Sequence, residues 1–142
     1  MGTAPDPYAL QRFVDAQRGV YAQARAELRA GRKESHWMWY IFPQIKGLGQ
    51  SAMAEKYGIS SVAEATEYLH HPELGNRLRE CTQLVTAING RSIQDIFGYP
   101  DYLKFQSSMT LFAHAAHDNQ IFMDALKKYY RSEFDRQTIE RL

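Results

Sequence analysis

Apolar residues recur along the chain at three- and four-residue steps, the spacing of helices that each turn one face inward. Leu10, Phe13, Val14, Gln17, Tyr21, Ala24 and Leu28 make the first such stripe. Gly19 is placed to divide it into two helices, and Gly31 offers a stop beside the basic residues Arg29, Arg32 and Lys33, whose charge complements a helix C-terminus. Ser61 followed by Glu64 has capping-box spacing, and His71-Pro72-Glu73 reads as a fresh helix start. From there Leu74, Leu78, Cys81, Val85 and Ile88 form a seam that ends at Asn89-Gly90. Ser92 with Asp95 opens a short helix stopped by Gly98, and Pro100-Asp101 starts a long one with Tyr102, Phe105, Met109, Phe112 and Ala116 on its core side. Asp118 is expected to cap the next helix, which carries Phe122, Ala125, Leu126 and Tyr129, and Asp135 a terminal turn through Ile139. No alternating run is long enough for a sheet. The pattern predicts an all-α, compact multihelical single domain of roughly six to eight helices over residues 9–142, behind an N-terminal tail of residues 1–8.

Size and charge narrow the function classes. A chain of 142 residues with 44% hydrophobic and 23% charged residues has enough apolar material for one core. Lys and Arg number 17 against 16 Asp and Glu, a net charge of +1, so no strong field favours a nucleic-acid partner or a polybasic membrane contact. The longest apolar run, Trp37 to Phe42, is far below the about 20 residues of a membrane span. Cys81 is the single cysteine. It fits a reducing, cytoplasmic location, excludes an internal disulfide, and suits a core position better than a nucleophile. The opening MGTAPDPYAL has neither the basic end nor the apolar stretch of a signal peptide. His114-x-x-His117 lacks a visible third ligand, so no metal and no cofactor are expected.

One dense stretch, SHWMWYIFPQIKGLGQS, covers residues 35–51 and contains both tryptophans. Ser35 can cap a short helix that Pro43 ends. His36, Trp37, Trp39 and Tyr40 fall on more than one face of it, which suits a central, buried helix, or else an aromatic platform for a ligand ring. Gln44, Lys46, Gly47, Gly49, Gln50 and Ser51 then lead into the next helix, predicted over Ser51–Tyr57. A glycine turn entering a helix N-terminus offers free N–H groups to an anion, with Lys46 adding charge and Ser51 a hydroxyl. An ordinary Ser51 cap explains the same residues, and the order of a phosphate-binding P-loop is absent.

A second polar concentration lies in KFQSSMTLFAHAAH. On a helix Lys104, Ser107, Ser108 and Leu111 share one side, with His114 at its edge. This side reads as a ligand floor or as a solvated face. A Ser–Lys nucleophilic pair would further need a desolvated lysine and an oxyanion hole. Gln17, polar within an apolar stripe, needs a partner if buried and reads chiefly as a structural tie.

The strings RFVDAQ, HWMWYIFPQIKGLGQS, EATEYLHHPELGNRLRE, IFGYPDYLKFQSSMTLF and FMDALKKYYRSEFDRQTIERL resemble DUF1810, an uncharacterised bacterial family often mislabelled calpastatin. The likeness runs from about Leu10 to Leu142 and implies a compact multihelical domain with no established activity or catalytic residues to transfer. Calpastatins are long and disordered, which this composition is not. A looser likeness, in string composition alone, is to the NADAR class of ADP-ribose-processing domains, and it transfers no residue.

Two functions follow as expectations. In the first, the domain binds or processes a small anionic, nucleotide-like ligand. Trp37, Trp39 or Tyr40 would stack on a ring, while Lys46, the Gly49–Ser51 turn, Lys104 and Ser107 or Ser108 hold the anion. His36 would be the acid–base candidate, because histidine titrates near working pH. This requires the two polar stretches to meet in one cavity. In the second, the aromatics fill the core and a remaining apolar patch serves a protein partner or a second copy in a homo-oligomer.

Overall fold

A computed structural model describes residues 5–142. Ten helices occur among them, and no strand. They are α1 (Gln11–Gln17), α2 (Tyr21–Arg29), α3 (Met38–Ile41), α4 (Ala52–Lys56), α5 (Val62–His70), α6 (Leu74–Thr86), α7 (Ile93–Phe97), α8 (Asp101–Ala115), α9 (Gln120–Tyr130) and α10 (Arg136–Ile139). The all-α expectation holds, with more helices than expected, because α3, α4, α7 and α10 are each five residues or fewer. Of the expected tail, residues 1–4 lie outside the described residues. Asp6 accepts the Leu10 and Gln11 N–H groups as α1 begins, and Tyr8 packs on the core.

Local chemistry sets most boundaries. Ser51, Ser61, Ser92 and Asp135 each accept the N–H three residues on, satisfying one of the donors a helix start leaves free. At the start of α6, His71 Nδ1 accepts the Glu73 and Leu74 N–H groups instead. Two expected caps are corrected. Ser35 caps nothing, since its hydroxyl bonds the Glu27 carboxylate at 2.6 Å, and α3 starts after Trp37. α9 starts one residue later than Asp118 suggested, after Asn119, whose amide donates to Ala113 O, although Asp118 Oδ1 still accepts the Gln120 N–H at 3.3 Å.

α8 is the centre of the domain. It packs against α5, α7, α9 and α10, while α6 joins α2, α3, α5 and α9. Residues 107–113 of α8 are all buried, so the solvated face that Ser107 and Ser108 allowed is overturned. Two of its three buried hydroxyls, Ser107 and Thr110, find acceptors in carbonyls one turn back, Leu103 and Gln106, whereas that of Ser108 has no partner. Around α8 the aromatic core closes. Phe105 stacks on Phe97 at 5.0 Å and meets Phe42 edge-on at 4.9 Å.

Polar ties cross this core. Gln17 donates to Tyr40 O and Tyr68 OH and accepts from Arg77, which makes it a structural tie. The Arg12 guanidinium reaches Lys56 O, Gly58 O and the buried Glu64 carboxylate, pinning α1 to the α4–α5 connection. Cys81 is fully buried in the α6 seam, and burial pushes its thiol up to about 12. It should therefore stay unreactive toward a thiol reagent at pH 8 until denaturant is added; stoichiometric labelling of the native protein would contradict this.

Candidate functional site

Between the segment after α3 and the first turns of α8 lies an open cleft of about 380 Å³. Two hydrogen bonds fix its first wall. Ile59 N–H donates to Gln44 O at 2.8 Å and Lys46 N–H to Ile59 O at 2.7 Å, clipping the chain after Pro43 to the strand-like residues after α4. From that clip the turn runs through Gly49, where a Cβ would stand 2.8 Å from the Ala54 Cβ. The turn can close on α4 because that position carries no side chain.

The opposite wall comes from α8. Lys104, one quarter exposed, holds its Nζ 4.9 Å from the Trp39 ring centroid and 3.6 Å from Asp101 Oδ1. Asp101 Oδ2 is in turn 2.8 Å from the buried Lys33 ammonium. One carboxylate thus sits between two cations, and the lysine at the cleft is only partly neutralised. A cation over an indole face at this range is a favourable contact in its own right.

The start of α10 closes the cleft. Ser107 Oγ lies 3.1 Å from Asp135 Oδ2 and shares its one proton between that oxygen and Leu103 O, while Asp135 Oδ2 also accepts Thr138 N–H at 3.0 Å and Thr138 Oγ at 2.6 Å. Asp135 N–H donates to Thr110 Oγ at 2.9 Å. The carboxylate is therefore held rigidly from α8 and α10 together. Gln137 and Leu103 stand beside it at the rim.

Of the residues singled out from sequence, Trp39, Gln44, Gly49, Ser51, Lys104 and Ser107 line this cleft. Ser51 Oγ accepts Ala54 N–H as a helix cap and the Lys46 N–H is held by Ile59, whereas the N–H groups of Gly49, Gln50 and Ser51 make no hydrogen bond within the protein. The others lie elsewhere. Trp37 is fully buried, its indole N–H donating to Glu27 at 2.9 Å. Tyr40 packs edge-on against Tyr57, and His36 is exposed with its carbonyl accepting from the Tyr40 hydroxyl. The Lys46 side chain is exposed and off the cleft, and Ser108 is buried inside the bundle with its hydroxyl unpartnered. Asp135 and Gln137 were missed. Asp135 reads from sequence as a helix cap, which it is, and nothing local shows that the capping carboxylate faces a cleft.

A second hollow, of about 360 Å³, lies between Arg32 and Arg91 and is lined by Asp95 and Gln94 as well. It carries charge, but its one ring, Phe97, is buried. No helix among the described residues is long and apolar enough to cross a membrane.

Fold and cleft thus describe a small helical domain with a polar, aromatic-walled hollow. The chain belongs to the DUF1810 family, described as a protein of unknown function, whose profile matches residues 7–142. A similar solved structure is the crystal structure of the conserved hypothetical protein Rv1873 from Mycobacterium tuberculosis, 57% identical, with a TM-score of 0.96 over 96% of this chain and 98% of that one. No curated protein matches the chain.

Proposed function

We propose that the cleft binds a small anionic, nucleotide-like ligand, with Lys104 as its cation and Trp39 as its ring surface. The observation that supports this most directly is the Lys104–Trp39 pair at 4.9 Å, where the two polar stretches of the sequence line one hollow. A cleft of about 380 Å³ falls within the range of small-molecule sites. The reading takes the protein to be cytoplasmic, in keeping with its single buried thiol.

Thermal-shift titration with nucleoside monophosphates, ADP-ribose and sugar phosphates tests it. A ligand that binds the native state at one hundred times its Kd adds about 2.7 kcal/mol to stability. Lys104→Ala should abolish the shift, and Lys46→Ala, off the cleft, should keep it. A shift that survives Lys104→Ala would move the anion elsewhere, to the Arg32–Arg91 hollow first.

A second reading, an interaction module, draws on Tyr99, which is 80% exposed beside Tyr102, with Leu103 43% exposed in the first turn of α8. Light scattering decides it. Self-association that Tyr99→Ser removes would support this reading, and a strictly monomeric protein would remove its self-associating form.

A further inference from the structure

Resting on that reading, we infer that the ligand is a sugar bearing one phosphate or carboxylate, and not a polyphosphate. Charge comes first. The cleft offers one ammonium, Lys104, already shared with Asp101 at 3.6 Å, and faces it with one carboxylate, Asp135. Two or three further negative charges entering beside Asp135 would be repelled rather than neutralised. The turn adds no second cation at the cleft: its Lys46 N–H is held by Ile59 and the Lys46 side chain lies off the cleft, so the turn can offer only uncharged donors.

The remaining groups are those that recognise hydroxyls. Asp135 Oδ2 takes the Ser107 and Thr138 donors, which fixes the carboxylate in place, and Oδ1 takes none of those bonds. A carboxylate so held is an acceptor for a ligand O–H, and such charge-assisted bonds are shorter and stronger than neutral ones. Gln44, Gln50 and Gln137 line the same cleft, and each amide both donates and accepts, as a hydroxyl does. Trp39 supplies an apolar face for a ring. One cation, one fixed acceptor, three amides and an indole together match a polyol with a single anionic group.

The test uses the intact protein in calorimetric titrations with ribose 5-phosphate, glucose 6-phosphate, ribose, inorganic phosphate and ATP, read in parallel by tryptophan fluorescence. Expected is at least tenfold tighter binding of one of the two sugar phosphates than of ribose, inorganic phosphate or ATP. Lys104→Met should reduce that affinity to the level of free ribose, and Gln137→Ala, at the exposed rim, should weaken it several-fold. Trp39→Phe should remove the fluorescence change while heat is still released. ATP or inorganic phosphate binding as tightly as either sugar phosphate, in a Lys104-dependent way, would overturn this inference and leave the anionic-ligand reading standing. Absence of saturable binding by every probe would overturn both.

Discussion

Gly75→Ala is expected to destabilise the domain by about 3 kcal/mol or more, against the direction that helix propensity predicts. Gly75 lies in the first turn of α6, and its backbone does not need the left-handed region. Alanine is favoured over glycine by about 1 kcal/mol in a helix, so at an open position the substitution would stabilise. Here a Cβ would stand 1.9 Å from Leu69 O and 2.8 Å from Leu69 C, both backbone atoms near the end of α5. No rotamer change relieves such an overlap. α5 and α6 would have to separate, and Leu74 and Leu78 with them, although both lie in the buried core. Urea denaturation checks this, with Asn76→Ala, one residue on and exposed, expected to shift stability by no more than about 0.5 kcal/mol. A Gly75→Ala protein with an unchanged or higher midpoint would show that the two helices do not cross this closely.

The same glycine illustrates what a sequence carries and what it does not. Ser61, Ser92 and Asp135 were legible as caps because cap and recipient are three residues apart, a relation written in the chain. Ser35 looked equally good, yet its hydroxyl is bonded by Glu27, across the connection after α2. Gly75 reads only as a weak helix residue, because the carbonyl that excludes a side chain belongs to another helix. The tightness of α8 was hidden for a related reason. Ser107, Ser108 and Thr110 suggest solvent by type, but two of them satisfy themselves on their own helix, which makes burial cheap.

At the cleft, the residues legible in advance were those whose chemistry is unusual for a loop or helix face: Trp39 beside a glycine turn, and Lys104 beside small hydroxyls. Trp37 was not separable from Trp39 by type. Only tertiary structure turns one indole onto Glu27 and the other toward Lys104. Asp135 could not be found because a capping role fully accounts for it locally, while its contact with Ser107 spans α8 and α10. A helical stripe locates the core well, whereas a site assembled from three separate segments is written in no single one of them.

Glu27 is where acid should cost the fold stability. It is 9% exposed, and its carboxylate accepts Glu34 N–H at 2.7 Å, Ser35 N–H at 2.9 Å, the Ser35 hydroxyl at 2.6 Å and the Trp37 indole N–H at 2.9 Å. Burial by itself would raise its pKa, and the four donors, the Ser35 hydroxyl foremost, outweigh burial and hold it at about 2, against 4.5 for an ordinary glutamate. Because the folded value lies below the unfolded one, the stabilisation is fully present above pH 4.5, declines as pH falls, and is gone below about 2. Its size is about 3 kcal/mol. Glu27→Gln keeps the side-chain shape but loses the charge, and at pH 7 it should cost about 2 kcal/mol. The decisive measurement is the urea-derived stability of both proteins from pH 6 to 2. The parent should lose more than the variant across the acid limb, so the two curves converge. Trp37 emission should shift in the variant even where it remains folded, because its indole N–H loses an ionised acceptor. Parallel curves over that range would mean that the segment leading to Trp37 and Trp39 is not anchored by this carboxylate.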